Sequence, residues 1–312
     1  MASPVAPAAD NPVSRVGFGT GGLLRTGSAR QRQALLAAAL DNGITHFDTA
    51  PIYGFGEAER SLGRFLQGNR NRVTLTTKFG LQPSRLAARL VPLQRAGRHM
   101  VQLFPALRRA AVRSSGALYS PPSFSVAAVR SSLEQSLRAL RTDHVDFFLA
   151  HQASSEALPA QEVIELLEGL RRAGKIRAFG VATDFERLAA VLSQRPQLSR
   201  VVQFDSDLTT GNAAKLAGED RLLFTYGFIN RSIAVCRERL RNCAAGEDDL
   251  AGADDDTLGG MLLRAAVLAN PNGSVLMQSR SPARIRLNAR AAYVAEDDER
   301  VRRLVKLLGA SL

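Results

Sequence analysis

Four side chains able to hold or move a proton sit at the ends of short apolar runs. They are Asp48 in His46-Phe-Asp-Thr-Ala50, Tyr53 in the turn that follows, Lys78 in Leu75-Thr-Thr-Lys78, and His151 closing Phe147-Phe-Leu-Ala-His151. A phenol titrates near about pH 10 and is a poor acid at neutrality. An ammonium beside it is expected to lower that value, and a carboxylate keeps the ammonium charged and in place. Asp48, Lys78 and Tyr53 together would thus be a tuned proton donor. His151 can orient a carbonyl oxygen by hydrogen bonding or assist the transfer. Such a set protonates an oxyanion as it forms, which suits carbonyl reduction when a hydride source lies alongside. Taken singly, each residue has an ordinary structural reading: a turn acceptor, an aromatic cover, a snorkelling cation, a satisfied core histidine. Only their convergence makes a site.

Convergence depends on the elements that carry them. β-rich runs are expected at 16–20, 45–50, 73–79, 145–151, 176–182, 200–204, 222–226 and 274–278. Helical patterns lie between them at 29–42, 57–67, 126–140, 162–173, 185–193 and 257–269, with an extra helix at 231–241 and a closing one at 282–293. Eight near-continuous apolar strands separated by helices imply a parallel sheet buried on both faces. In this length they fit an α/β fold of the (β/α)8 TIM-barrel type, with long βα loops at the C-terminal face. Residues 1–312 read as one such domain, with a flexible leader at 1–13 and a basic loop insertion at 80–124. In a barrel, consecutive strands are neighbours, so Asp48, Tyr53, Lys78 and His151 should meet at one mouth.

Composition removes other classes. The chain has 312 residues, 45% of them hydrophobic, with 25 Gly, 13 Pro and 2 Cys, which excludes collagenous, disordered and disulfide-framework readings. Cys236 and Cys243 read as reduced thiols in a cytoplasmic protein. The N-terminus has no basic region followed by an apolar core, and no run is apolar enough to span a membrane. The net charge of +12 is local. Between Ser61 and Ser132 there are 11 Arg, one Lys and no acid, which equals the whole excess. No nucleic-acid motif accompanies that segment. Its readings are a solvated cap, a lid favouring anionic or large substrates, or an interfacial helix, the last opposed by Pro92, Gly97 and Pro105. The acids at 247–249 and 254–256 lack calcium-loop spacing and read as a solvated loop, the last of them complementing a helix N-terminus. No metal site is expected.

The motifs Gly43-Ile-Thr-His-Phe-Asp48-Thr-Ala-Pro-Ile-Tyr53-Gly54, Thr77-Lys78-Phe79-Gly80 and Val145-Asp146-Phe-Phe-Leu-Ala-His151 resemble the aldo-keto reductase family, from about Val16 to Ala292. The resemblance implies a (β/α)8 barrel, a nicotinamide cofactor (NADPH, with NADH possible), and a tetrad in which Tyr53 is the general acid. It further implies that Gln203 bonds the nicotinamide carboxamide and that Tyr226 stacks on the ring. The segment from Gln278 to Asn288 would hold the adenosine phosphate through Ser279, Arg280, Arg284 and Asn288. Thr183 or Asp184 stands where a second carboxamide partner belongs. A strand end leading into a helix with adjacent arginines is also physically an anion site. The expected function is NAD(P)H-dependent reduction of an aldehyde or ketone to an alcohol. The expected partner is a small carbonyl substrate, with no nucleic acid or integral membrane association, the protein being a monomer or weak oligomer. Departures at 182–184, at Gln278 and at Leu287 motivate an alternative, a non-catalytic barrel that senses a cofactor or binds a partner. Schiff-base chemistry at Lys78 is a weaker one, because Asp48 should keep the amine protonated.

Overall fold

The computed structural model describes residues 12–83, 120–216, 221–242, 250, 252–293 and 298–309. Eight parallel strands close into a barrel in chain order: β1 (Val16–Gly19), β2 (His46–Asp48), β3 (Thr74–Phe79), β4 (Val145–His151), β5 (Ile176–Ala182), β6 (Val201–Asp205), β7 (Leu222–Tyr226) and β8 (Gly273–Met277). β8 returns to pair with β1, with Phe18 opposite Met277. The helices between them are α1 (Ala29–Asp41), α2 (Glu57–Leu66), α3 (Val126–Leu140), α4 (Gln161–Arg172), α5 (Phe185–Gln194), the one-turn α6 (Asn212–Lys215), α7 (Phe228–Asn242) and α8 (Asp255–Ala269). After β8 come α9 (Pro282–Tyr293) and α10 (Asp298–Leu307).

Strand periodicity sorts the core into two compartments. One face of the strands packs under the helices in a large apolar layer that includes Val16, Phe47, Leu75, Phe148, Val181 and Phe204. The other face fills the barrel with Phe147, Leu149, Ala178, Ala182, Val201, Phe224 and Leu276. His46 belongs to this interior. It stacks on Phe224 with ring centroids 4.4 Å apart, and its two nitrogens meet Thr74 Oγ1 at 3.0 Å and Thr76 Oγ1 at 3.3 Å. Because side chains alternate, Asp48 lies two residues above His46 on the same file. Lys78 likewise follows Thr74 and Thr76, and His151 follows Phe147 and Leu149.

Local chemistry fixes several termini. Ser28 and Gln31 form a reciprocal capping box on α1. Asp254 caps α8 by accepting from Thr257 N at 2.7 Å. Behind the strands, buried Asp146 accepts from Leu75 N and Arg70 Nη2, both at 2.9 Å, and ion-pairs with Arg177 Nη2 at 2.9 Å, bracing β3, β4 and β5. The expected helices are present. α6 and α10 were not expected, although Val301, Leu304, Val305 and Leu308 have helical spacing and are buried.

The stem of the basic insertion is defined. Ser123 N donates to Gly80 O, Ser120 N donates to Gln82 O, and the Phe124 ring meets Phe79 edge-on. The remainder, 84–119, lies outside the described residues, as do the leader residues 1–11, Cys243 and the acids at 247–249. Cys236 is free and buried. Among the described residues no helix is long and apolar enough to cross a membrane.

Candidate active site

The four chemistry-bearing residues meet at the C-terminal mouth. Lys78 is buried, and its Nζ donates to Asp48 Oδ1 at 2.7 Å, to Asp48 Oδ2 at 2.8 Å and to Thr49 O at 2.9 Å. It also reaches Tyr53 Oη at 3.4 Å. Tyr53 is carried by the turn between β2 and α2, where its N–H donates to Ala50 O. A left-handed Gly54 follows it, and a Cβ at Gly54 would fall 1.8 Å from Leu24 Cδ1, so the turn needs glycine. His151 stands edge-on to Tyr53 with centroids 6.2 Å apart.

The electrostatics correct one expectation. Burial raises the Tyr53 pKa, and the Lys78 ammonium only partly offsets this. The reason is distance: Lys78 is neutralised by a carboxylate at 2.7 Å and stands farther from the phenol. Tyr53 is therefore a firmly protonated phenol. Burial alone would lower the Lys78 pKa, but Asp48 and Tyr53 outweigh it and hold the amine charged, above its ordinary value. Burial, then Lys78, pushes His151 down to about 3, so its imidazole is neutral. Its Nδ1 is buried without a hydrogen-bond partner among the described residues.

The residues expected to hold a nicotinamide line the same mouth. Gln203 Nε2 donates to Asp48 Oδ1 at 3.0 Å, which ties that residue into the tetrad and leaves its Oε1 buried and unpartnered. Tyr226 is half-buried at the end of β7; after burial, its phenol is raised by Asp184 and Asp205, and then by Tyr53 and Asp48. Thr183 is buried, but its hydroxyl donates to Ala153 O at 2.8 Å, so it can only accept from a ligand. An orphaned amide oxygen, a neighbouring aromatic ring and an adjacent proton donor fit a nicotinamide and its carboxamide.

The strand-eight segment is less open than its arginines suggest. Ser279 Oγ donates to Ser281 O and accepts from Ser281 N, both at 3.2 Å. Asn288 is buried, with Nδ2 3.9 Å from Met277 S. Arg280 is exposed. Arg284 Nη2 is held 2.6 Å from Asp256 Oδ1, so the acids at 254–256 are not the solvated loop expected: Asp254 caps α8, and in its first turn Asp255 pairs with Arg237 and Asp256 with Arg284. Gln278 bridges this segment to the mouth. A Cβ at Gly21 would lie 3.2 Å from Gln278 Nε2 and 3.7 Å from Tyr53 Cζ. Sequence reasoning did not reach the Thr49 carbonyl, which has no sequence signal, or Asp256, whose acidic run has several uses.

The closed parallel barrel thus gathers a buried acid and amine, a half-buried phenol and an imidazole at its mouth. The chain belongs to the Aldo/keto reductase family, whose model matches residues 15–204. That range holds Asp48, Tyr53, Lys78, His151 and Gln203, and stops before Tyr226 and the strand-eight segment. Aldo-keto reductase YhdN of Bacillus subtilis is 33% identical over 175 residues, 54% of this chain and 43% of that protein. The 6-dehydroglucose reductase of Agrobacterium fabrum is 32% identical over 214 residues, 66% of this chain and 57% of its own length. The chain thus spans about half the length of the curated relatives it matches. Among solved structures, aldo-keto reductase AKR11C1 from Bacillus halodurans (holo form) aligns with a TM-score of 0.68 at 21% identity, covering 96% of this chain and 93% of that one. An aldo-keto reductase from Klebsiella pneumoniae in complex with NADPH aligns with a TM-score of 0.66 at 23% identity, covering 96% and 92%.

Proposed function

We propose that the protein is an NAD(P)H-dependent oxidoreductase that reduces an aldehyde or ketone to an alcohol, with Tyr53 as the proton donor. The observation that carries this reading is Lys78 Nζ, which binds both Asp48 oxygens and reaches Tyr53 Oη, beside a Gln203 whose Oε1 is unpartnered. A bound nicotinamide supplies a hydride to the carbonyl carbon. Tyr53 donates its hydroxyl proton to the carbonyl oxygen as negative charge develops there. Lys78 then faces the phenolate, and Asp48 keeps Lys78 charged throughout. His151, being neutral, orients the carbonyl oxygen through one N–H without delivering a proton of its own. Gln203 Oε1 would accept from the carboxamide nitrogen, and Tyr226 would cover the ring.

The phosphate end of the cofactor would meet Ser279, Arg280, Arg284 and Asn288, and the two arginines favour NADPH over NADH. A relative in Schizosaccharomyces pombe, 28% identical over 200 residues, is named as acting with NADP(+). We place the protein in the cytoplasm, acting on a small carbonyl compound as a monomer or weak oligomer.

Fluorescence titration with NADPH and with NADH, followed by oxidation of the bound nucleotide against a carbonyl panel, tests the reading. Binding of neither nucleotide overturns it. Tight binding without turnover across the panel instead makes the protein a nucleotide-sensing barrel. Tyr53→Phe should lower turnover by at least roughly 100-fold while nucleotide affinity stays within a small factor.

A further inference from the structure

On the outer face of the helical layer, α2 and α3 form a groove of about 410 Å³ lined by Arg60, Arg64, Gln135, Arg138, Ala139 and Arg141. None of these residues belongs to the tetrad or to the strand-eight segment. The groove exists because of Gly63. A Cβ there would fall 2.2 Å from Ala139 O and 2.8 Å from the Leu140 carbonyl carbon, so glycine is what lets the two helices touch. Arg60 and Arg64 are one turn apart on α2, and Arg138 and Arg141 one turn apart at the end of α3. Close packing of α2 on α3 therefore sets two pairs of like charge along one groove.

These charges are poorly compensated. Arg60 is the exception, pairing with Glu57 through Nε and donating from Nη2 to Phe55 O at 3.2 Å, so the uncancelled charge lies on Arg64, Arg138 and Arg141. Arg64 donates to Ser61 Oγ at 3.2 Å and Arg141 to Gln67 Oε1 at 2.8 Å, both neutral acceptors that orient a guanidinium without cancelling its charge. Among the described residues no carboxylate pairs with Arg138, Glu134 one turn earlier included. The other acid on this stretch of α2, Glu59, is buried and turned inward, where its Oε1 accepts from Thr77 Oγ1 at 2.7 Å. A guanidinium presents a planar fork of donors that matches two phosphoryl oxygens at once. The volume is that of a small-ligand site and exceeds what one phosphate fills. Uncancelled guanidiniums on both sides of the groove, Arg64 from α2 and Arg138 and Arg141 from α3, suit two linked phosphoryl groups.

We propose that this groove binds a small molecule carrying a diphosphate, at a site separate from the barrel mouth. A phosphate backbone would offer the same oxygens, but along an extended track rather than between facing guanidiniums. The full chain is titrated calorimetrically with inorganic pyrophosphate at low salt. Arg64→Gln/Arg138→Gln is compared with wild type and with Arg280→Ala/Arg284→Ala, which controls for the strand-eight segment. Wild type and the strand-eight variant should each show one saturable site that Arg64→Gln/Arg138→Gln loses or weakens by about tenfold or more. In anion-free, low-salt buffer the groove variant should melt above wild type, because removing like charges relieves repulsion. Pyrophosphate should then raise the melting temperature of wild type but not of the groove variant. The proposal is overturned by the absence of saturable binding to wild type, by equal binding to the groove variant, or by loss of that site in the strand-eight variant. It is equally overturned if a single-stranded RNA binds through these arginines while pyrophosphate does not. Loss in the strand-eight variant would place the anion on Arg280 and Arg284, whereas the other outcomes leave the nicotinamide reading untouched.

Discussion

Lys78 shows how one side chain can organise a site. Every donor of its ammonium is spent, on the Asp48 carboxylate, on Thr49 O and on Tyr53 Oη. Both members of the ion pair are buried, so each depends on the other. Removing one partner of a buried pair leaves an uncompensated charge and typically costs ~3–5 kcal/mol. Lys78→Met should lower the unfolding free energy by about that amount, read from urea titrations followed by circular dichroism. Adding Asp48→Asn should restore much of the loss, since the stranded charge is gone. A single variant as stable as wild type would mean that water reaches Asp48. The same residue exposes a limit of pairwise intuition. An ammonium near a phenol lowers its pKa, yet burial wins at Tyr53 because the ammonium is already neutralised.

At the scale of elements, two contacts decide what the site can do. Where β5 meets β6, a Cβ on Gly180 would fall 1.8 Å from Val201 O. Gly180→Ala must push these strands apart directly beneath Thr183 and Gln203, and should cost about 1–3 kcal/mol, visible as a lower melting temperature. The second contact joins α8 to α9. Asp256 holds Arg284 at 2.6 Å, competing with any phosphate for the same guanidinium. Both side chains are substantially exposed, and a surface pair contributes no more than ~1 kcal/mol. Asp256→Asn should therefore tighten NADPH by roughly three- to fivefold and leave NADH nearly unchanged, as measured by fluorescence titration. Equal gains for both nucleotides would place Arg284 away from the distinguishing phosphate.

Across the whole molecule, the buried histidines make stability sensitive to acid. His46 and His151 are each pushed down to about 3 by burial and then by Lys78, against 6.5 when free. Below pH 6.5 the unfolded chain takes up protons that the fold refuses, so stability is present above that value and falls as the pH drops toward 3. Glu59 opposes this trend: its carboxyl is raised by burial, so its share is present in acid and lost as pH rises. His151→Asn removes one of the two buried histidines. Between about pH 5.5 and 4 the variant should lose stability less steeply than wild type by ~1.4 kcal/mol per pH unit. Parallel unfolding curves would show that His151 is charged in the fold.

The barrel was legible in the chain because a parallel strand buried on both faces must be apolar along its length, and eight such runs alternate with helical patterns. Strand parity and order brought Asp48, Lys78 and His151 to one mouth before any distance was known, and the short turn after β2 kept Tyr53 beside them. The helix α10 was not expected, although Val301, Leu304, Val305 and Leu308 have helical spacing and are buried, because a helix beyond the one that closes the barrel is not demanded by the alternating pattern. What the linear order could not contain is the balance of forces between residues remote along the chain. The direction of the Tyr53 shift depends on burial against a neutralised cation. The engagement of Arg284 depends on where α8 packs, and the closeness of four arginines on the approach that Gly63 permits. Residue types and periods are local properties, whereas desolvation and charge pairing exist only once distant segments share a volume.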